Sequence, residues 1–444
     1  MTKAKKMSPY NKEVYMKIKY IKTDYTALTE LAQKKKKPHR KPIRPNIFWR
    51  TLMKLVALPD LIATKFECEK IGMDKIGKKE AAFYLMNHSS FIDLEIAASV
   101  LFPRPFNIVA TTDGFIGKDW LMHRIGCIPA RKFVPDPGCV KDILYASRKL
   151  DDSILMYPEV GYSFDGTATT LPDTLGHCVK MIGMPLVMLR TYGAFTRDPL
   201  YNYLQRRKVK VSATLECLLT KEEVAEKTAE EIQAIILKEF SFDNFAWQKE
   251  NGVRVTEKFR ADGLERVCYK CPDCHTEGKM LGKGITLECT ECGAKYELSE
   301  LGELVRVDGK EQKIASVPAW YAWERECARA ELESGTYGVE FPVEIYAAFD
   351  TKDLYNIGGG VIKHDKNGFR LTTDDGQLDY LQKPTAQYSI NADLNWYELG
   401  DIISVGDLKC LFYCLPKAEG IPVAKIRLAA EEAYKIEWAK KKEG

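Results

Sequence analysis

Short apolar runs alternate with helical stretches between residues 81 and 217, and this alternation is the clearest pattern in the chain. Apolar runs of a few residues between turns predict buried strands, whereas apolar positions three and four residues apart predict helices. The predicted strands span residues 81–86, 106–110, 153–157, 185–190 and 208–216, and the predicted helices span 90–101, 140–150, 173–182 and 221–239. The pattern therefore predicts an α/β fold in which helices cover a mixed sheet.

The last third of the chain follows a different pattern. A helix is predicted over residues 317–332, with Pro318 in its first turn, and β-like runs follow it. Asn367-Gly368 and Asp375-Gly376 are typical of tight hairpin turns, and a final helix is predicted over 425–442. The whole chain is then expected to contain a basic N-terminal arm at 1–45, the α/β domain at 46–258, a small cysteine-rich ribbon at 259–303 and a β-rich domain closed by a helix at 304–444.

Charge is distributed unevenly along the chain. The formal net charge is +4, yet residues 1–54 hold 16 Lys and Arg against three carboxylates, so the remainder is net acidic. A basic arm of this kind suits an anionic surface, either phospholipid head groups or nucleic acid. The alternative is a solvated, disordered tail around the lysine run at 34–37.

The sequence indicates binding to a membrane surface rather than a helix that crosses the membrane. The first thirty residues lack the features of a signal peptide, and the longest apolar stretch near the start, residues 52–64, is interrupted by Lys54, Pro59 and Asp60. Residues 47–66 predict helices that lie at an interface, although they could equally pack on the protein itself. We therefore expect a cytoplasmic protein, peripheral on the inner face of the membrane.

Cysteines are concentrated in one segment. Five of the thirteen lie between Cys268 and Cys292, which favours a reducing compartment and one metal site. Two C-x-x-C knuckles, Cys271/Cys274 and Cys289/Cys292, have the spacing of tetrahedral Zn²⁺ bound on two hairpin turns, and Cys268 could substitute as a ligand. Four thiolates leave no open coordination position, so the predicted zinc is structural. The alternative is a thiol–disulfide pair.

A candidate catalytic pair lies between the first predicted strand and helix, in the segment Asn87-His88-Ser89-Ser90-Phe91-Ile92-Asp93. Ser89 or Ser90 can cap the helix, and Asp93 in the first turn would then tilt back toward the His88 ring. A neutral histidine can take the proton of an acceptor hydroxyl while an aspartate fixes its tautomer. The alternative is a histidine that only forms local hydrogen bonds beside a helix cap.

Three further segments follow this first block in order. The second block is Gly126-Cys127-Ile128-Pro129-Ala130-Arg131-Lys132, the third is Tyr157-Pro158-Glu159-Val160-Gly161-Tyr162-Ser163, and the fourth is Gly183-Met184-Pro185-Leu186-Val187-Met188-Leu189. Together the four blocks resemble the ordered motifs of the lysophosphatidic-acid and glycerol-phosphate acyltransferase family. The third block departs from that family, because Val160, Gly161 and Tyr162 stand where it usually has Gly, Thr and Arg. The family's arginine is associated with the phosphate of the acceptor.

The resemblance implies an enzyme of phospholipid biosynthesis that moves a fatty acyl group from acyl-CoA or acyl-ACP to a hydroxyl of a glycerol-phosphate or lysophospholipid-type acceptor. His88 would be the general base and Asp93 would orient it. The substrate-binding residues implied are Arg131, Lys132, Glu159 and Gly161. The chain has no Ser or Cys nucleophile motif with the histidine, which agrees with direct attack of the hydroxyl on a thioester. Backbone N–H groups at the helix N-terminus are expected to hold the oxyanion.

Two other functions remain open from the sequence. The ribbon and the basic arm could form a nucleic-acid-binding module, although four glutamates offset four lysines in the ribbon segment 270–297, which makes nucleic acid an unlikely partner. A catalytically altered relative that binds lipid or a protein partner is the other alternative, and the substitutions in the third block favour it.

Overall fold

The computed structural model describes residues 18–34, 39–418 and 420–443. Most of the predicted lysine run and the first seventeen residues of the predicted arm lie outside these ranges. The described N-terminal elements are strand β1 (Tyr20–Lys22) and helices α1 (Tyr25–Lys34) and α2 (Ile47–Ala63). No helix in the described ranges combines the length and the apolar character needed to span a bilayer.

The first sheet has seven strands in the order β2-β8-β7-β3-β6-β4-β5. Its strands and surrounding helices are β2 (Glu67–Ile71), β3 (Phe83–Met86), α3 (Ile92–Val100), β4 (Phe106–Thr111), α4 (Asp119–Arg124), β5 (Cys127–Ala130), α5 (Pro137–Lys149), β6 (Ser153–Met156), α6 (Leu175–Ile182), β7 (Leu186–Tyr192), α7 (Ala194–Arg197), β8 (Ser212–Leu219), α8 (Lys221–Glu226), α9 (Ala229–Phe240) and α10 (Asn244–Glu250). Strands β3, β4, β5, β6 and β7 run parallel, and β8 is antiparallel to β7. The mixed α/β fold predicted from the sequence is confirmed.

Helices cover both faces of this sheet. One core contains apolar side chains of α2 and α3, and the other contains side chains of α5, α6 and α9. The strands between these layers are therefore buried on both sides, which explains why they read as continuous apolar runs.

Two sequence predictions about this region were wrong. The single helix over 221–239 is two helices, because Lys227 is extended and Thr228 begins a new helix with its own capping box to Glu231. The strand over 208–216 instead begins at Ser212 and continues to Leu219. In both cases the number of elements or their ends depend on capping and pairing partners that an apolar pattern does not specify.

A four-stranded antiparallel sheet carries the cysteine knuckles, in the order β12-β11-β10-β9. Its strands are β9 (Met280–Lys283), β10 (Thr286–Cys289), β11 (Lys295–Leu298) and β12 (Leu304–Arg306). Strands this short bury little apolar surface of their own. Their buried side chains join the core of the C-terminal sheet.

The C-terminal sheet has eight strands, in the order β16-β15-β14-β13-β19-β18-β17 with β1 paired in parallel to β14. The elements are α11 (Val317–Ser334), β13 (Gly338–Ala348), β14 (Leu354–Asp365), β15 (Gly368–Thr373), β16 (Asp379–Gln382), β17 (Asn391–Trp396), β18 (Gly400–Gly406), β19 (Leu411–Pro416) and α12 (Val423–Glu443). The β-rich region with a terminal helix is confirmed, and so are both hairpins. Gly368 has φ +105, and a Cβ there would lie 2.1 Å from the Gln382 carbonyl oxygen, so the turn requires glycine.

Candidate active site and candidate metal centre

His88 lies at the carboxyl edge of the first sheet, two residues after β3 ends and four before α3 begins. Strand β3 is flanked by the parallel strands β6 and β7. The carboxyl ends of parallel neighbours meet at one edge of a sheet, which is where open α/β folds bind ligands. The loop after β6, which contains the third block, therefore lies beside His88.

The structure brings His88 and Asp93 together as the sequence predicts. The Nδ1 atom of His88 lies 3.3 Å from Asp93 Oδ2, and the Asp93 side chain is fully buried. A buried carboxylate at Nδ1 favours the tautomer that carries its proton there, and it leaves Nε2 as the basic nitrogen. In the described part of the chain, no side chain hydrogen-bonds to Nε2, so this atom is available to a substrate hydroxyl.

The N-terminus of α3 differs in detail from the prediction. Phe91, rather than Ser89 or Ser90, occupies the N-cap position and makes no capping bond. Instead the backbone N–H groups of Ser89 and Ser90 donate to Asp93 Oδ2 at 2.7 and 2.9 Å. These two amides hold the aspartate, and stabilisation of an oxyanion by other amides at this helix end stays a prediction.

Two tyrosines enclose the His88 ring. The ring of Tyr162 stacks on it with centroids 3.9 Å apart, and the ring of Tyr157 lies at 4.4 Å. Burial and the Asp93 charge raise the pKa of both phenols well above their usual value, so both stay neutral at any physiological pH. The His88 side chain is 19% exposed, so part of it stays accessible between the two tyrosines.

Glu159 supports the main chain behind His88. Its Oε2 accepts the His88 N–H at 2.7 Å and its Oε1 accepts the Thr169 N–H at 2.9 Å. Only 2% of the residue is exposed, and burial raises the pKa of its carboxyl to about 7. Both oxygens therefore accept main-chain N–H groups and hold the loops beside His88 in place. Acceptor binding by this residue stays a prediction.

The third block forms a tight loop in front of this carboxylate. Val160 adopts φ +62, and the Gly161 N–H donates to the Glu159 carbonyl at 2.6 Å. The Ser163 N–H donates to the His88 carbonyl at 3.3 Å. A Cβ on Gly161 would meet no heavy atom within 4 Å, so open space adjoins the loop at this point.

Both cations of the second block are engaged in ion pairs. Arg131 Nη1 lies 3.2 Å from Asp136 Oδ2. Lys132 Nζ lies 3.8 Å from Asp113 Oδ2 and 3.9 Å from Asp393 Oδ2. These two predicted substrate-binding residues are therefore paired with carboxylates of the protein itself.

A turn of the C-terminal sheet reaches the same region. Trp396 Nε1 donates to Asp113 Oδ2 at 3.1 Å, and the Tyr397 hydroxyl donates to the Asp113 carbonyl at 2.8 Å. Ile116 packs into the apolar cluster of that sheet. The C-terminal sheet is thus anchored beside the second block, a contact that no sequence signal predicted because it joins residues almost 300 positions apart.

Further buried polar residues hold the first block in place, a role that the sequence did not predict. The Asn87 side chain accepts the Thr191 N–H at 2.8 Å and donates to the Thr191 carbonyl at 3.3 Å. The Ser90 hydroxyl donates to Asp198, which is also paired with Arg197 at 2.8 Å. The asparagine that precedes His88 could have been found from its place in the first block. The pair at 197–198 lies in no motif.

The four predicted zinc ligands converge on one point. The Sγ atoms of Cys271, Cys274, Cys289 and Cys292 all lie within 4.8 Å of one another, and Cys268 is not part of this group. The closest pairs, Cys271–Cys292 and Cys274–Cys289, are 3.6 and 3.7 Å apart. Tetrahedral Zn²⁺ with bonds of roughly 2.3 Å requires sulfurs about 3.8 Å apart, whereas a disulfide requires about 2 Å. The cluster could therefore hold a metal ion.

Two comparisons with known proteins gave a match. One similar solved structure is the 1-acyl-sn-glycerophosphate (LPA) acyltransferase PlsC from Thermotoga maritima, at 13% sequence identity and a TM-score of 0.36, covering 43% of this chain and 76% of that one. The family model named Acyltransferase matches residues 67–189, which include all four blocks. The segment that matches the acyltransferase family model therefore contains His88, Asp93 and Glu159.

Proposed function

We propose that the protein transfers a fatty acyl group from acyl-CoA or acyl-ACP to a hydroxyl of a glycerol-phosphate or lysophospholipid-type acceptor. The observation that carries this proposal is the His88–Asp93 pair at 3.3 Å, at the sheet edge of a segment that matches the acyltransferase family. The buried Glu159 supports it further, because both of its oxygens keep the loop around His88 in place.

In the proposed reaction, His88 Nε2 takes the proton of the acceptor hydroxyl as its oxygen attacks the thioester carbonyl carbon. Asp93 stabilises the imidazolium that forms, since its charge faces Nδ1. The tetrahedral intermediate collapses, the C–S bond breaks, and the leaving thiolate takes the proton from the imidazolium. An ester and a free thiol result, so the reaction needs no acyl-enzyme intermediate.

We propose that α2 docks the protein on an anionic membrane. Its outer face exposes Phe48, Val56 and Ile62 by 62%, 66% and 72%, while its inner face is packed against α3. Phe91, 48% exposed and three residues from His88, extends the apolar surface toward the site. Apolar side chains on one face, with Arg50 and other basic residues nearby, are typical of a helix that lies in the lipid interface.

The remaining regions are assigned by the same reasoning. We propose that residues 46–258 form the acyltransferase domain and that residues 259–303 form a zinc ribbon whose metal is structural. The four thiolates would fill the Zn²⁺ coordination sphere and leave no position for a substrate. Residues 304–444 form the C-terminal domain and residues 1–45 the basic arm, although β12 at 304–306 pairs with β11 of the ribbon and β1 of the arm pairs with β14.

A coupled thiol assay tests the proposed reaction. Purified full-length protein is mixed with an acyl-CoA, a panel of lysolipids and a thiol reagent, and acceptor-dependent CoA release is measured. His88→Ala should reduce kcat by about a thousandfold or more, because it removes the base. His177→Ala is the matched control, since that side chain is exposed on α6 and should leave the rate unchanged.

The outcomes separate the alternatives. Acceptor-dependent release that persists in the His88→Ala protein would exclude the proposed mechanism. Absence of release by the wild type with every acceptor and with both acyl-CoA and acyl-ACP would favour a catalytically altered, lipid-binding relative instead.

A further inference from the structure

The ion pairs around Lys132 bear on which acceptor the catalytic centre admits, an inference that rests on the proposed acyl transfer. Two carboxylates, Asp113 and Asp393, lie 3.8 and 3.9 Å from Lys132 Nζ. The lysine side chain is only 11% exposed. A phosphate would have to displace one of these carboxylates to reach the ammonium group, so the lysine has little attraction left for an anionic ligand.

The cluster formed by Lys132, Asp113 and Asp393 carries a net negative charge at the pH of the assay. Burial raises the pKa of Asp393 to about 6, against the opposing effect of Lys132. Burial also disfavours ionisation of Asp113, but Lys132 and hydrogen bonds from Thr111 and Trp396 hold its pKa below the usual value. At pH 8 both carboxylates are therefore ionised, and with one lysine the cluster carries a net charge of −1.

Tyr162 connects this cluster with the catalytic ring. It stacks on His88, and burial, Asp93 and Asp393 together raise the pKa of its hydroxyl. Lys132 follows the end of β5 by two residues as His88 follows the end of β3, so both lie at the carboxyl edge of the first sheet. The other cation of the second block, Arg131, is already paired with a carboxylate at 3.2 Å. A phosphate beside His88 would meet carboxylates and engaged cations.

We propose that Asp393, supplied by the C-terminal sheet, is a specificity-determining residue that excludes a phosphate monoester from the acceptor site. The favoured acceptors are lysolipids with a neutral or zwitterionic headgroup. A monoester dianion is repelled by the net negative cluster, whereas a neutral or zwitterionic headgroup is not. Asp393 acts in two ways, by holding Lys132 and through its own charge.

The test compares acceptors that differ only in headgroup. Hexanoyl monoacylglycerol, hexanoyl lysophosphatidylethanolamine and hexanoyl lysophosphatidate, each below its micelle concentration, are assayed with one acyl-CoA at pH 8. Wild-type kcat/KM should favour the neutral and zwitterionic acceptors over lysophosphatidate by about tenfold or more, equivalent to about 1.4 kcal/mol. Asp393→Asn should reduce this preference by about fivefold or more, because it removes one charge and leaves Lys132 with one carboxylate partner instead of two.

The control variant is Asp379→Asn. Replacement of Asp379 makes the same charge change in β16, at the opposite edge of the same sheet from β17, and the Asp379 side chain is 53% exposed. This variant should leave the acceptor preference unchanged. An equal effect of both variants would mean that the preference follows the overall charge, and it would overturn the role of Asp393.

A second measurement separates this inference from the proposed reaction. Equilibrium binding of the three acceptors is measured with His88→Ala protein, with and without Asp393→Asn. If the wild type turns over no acceptor but binding follows the same order, the proposed reaction is wrong and the selectivity stands. If lysophosphatidate is the preferred acceptor in turnover, the inference is overturned while the acyl transfer is supported. If it is preferred in binding alone, the inference is overturned and the acyl transfer is judged by turnover.

Discussion

Replacement of Asp93 by asparagine tests the proposed division of labour between the two catalytic side chains. The asparagine side chain would keep the size of the native one, and its amide oxygen could still accept the N–H groups of Ser89 and Ser90, which lie 2.7 and 2.9 Å from Asp93 Oδ2. Asp93 Oδ2 also faces His88 Nδ1, so the same amide oxygen would lie opposite the ring and accept the Nδ1 proton, but without a negative charge. The imidazolium that forms during proton transfer would then lose its counter-charge.

The expected loss of activity is large and the expected loss of stability is small. Loss of the charge opposite Nδ1 should lower kcat by about 10²-fold or more, which is about 3 kcal/mol of activation free energy. Loss of the negative charge at the helix N-terminus should lower the free energy of unfolding by only about 1 kcal/mol. The two quantities are measured separately, as kcat with saturating acyl-CoA and as a urea unfolding midpoint.

Asp198→Asn supplies the matched control for that experiment. Asp198 is also a buried aspartate that accepts a hydrogen bond from the first block, through the Ser90 hydroxyl, but it does not contact the His88 ring. Its replacement should change stability by a similar or larger amount and kcat by less than about tenfold. Asp93→Asn protein that retains more than about a tenth of wild-type kcat, or an equal kcat loss in both variants, would refute the proposed role of the Asp93 charge.

Three further outcomes are expected from other parts of the molecule. Cys289→Ser should lower bound zinc from one ion per chain to none by elemental analysis, whereas Cys327→Ser should keep it, and wild-type protein without zinc would contradict the metal site. Burial opposes ionisation of Glu431, yet two arginines lower its pKa to about 2, so its stabilising contribution is present above pH 4.5 and is lost as the pH falls toward 2. Glu431→Gln should therefore lower the free energy of unfolding by about 3–5 kcal/mol at pH 7 in urea titrations, and by progressively less below about pH 4.5. Val56→Asp should weaken binding to anionic vesicles by about tenfold or more in co-sedimentation while leaving the unfolding midpoint unchanged, and unaltered binding would exclude α2 as the docking helix.

The sequence predicted the parts of the site that depend on local order along the chain. Strand ends and turn residues brought His88, Asp93 and Glu159 to one edge of a parallel sheet, because the carboxyl ends of its strands converge there. The four cysteines were equally accessible to prediction, since zinc imposes a fixed ligand spacing on hairpin turns. In both cases the chemistry constrains residues that are near in sequence or near the end of a regular element.

Contacts between distant segments could not be predicted in the same way. Asp393 pairs with Lys132 across more than 250 positions, and β1 joins a sheet formed mostly by residues after 337. The second block contains cations, which suggested an anionic ligand, but the sequence does not say that the protein supplies the counter-charge itself. The Lys132–Asp393 ion pair forms because the C-terminal sheet packs against the second block. The pattern of apolar residues along the chain does not predict that packing.

Residues of the acyltransferase segment and of the C-terminal region both hold the two loops that surround His88, namely the first and third blocks. Glu159 accepts the N–H of His88 in the first block. Arg427 of α12, in the C-terminal region, donates to the Tyr162 carbonyl of the third block at 3.3 Å. Arg427 is fixed in turn by Glu431, which also accepts the Thr170 hydroxyl at 3.0 Å. Since Tyr162 stacks on His88, a displacement of α12 would reach the ring of the proposed base through a single residue. The C-terminal region is therefore a structural part of the proposed active site, because it orients the stacked tyrosine and supplies the carboxylate that holds Lys132.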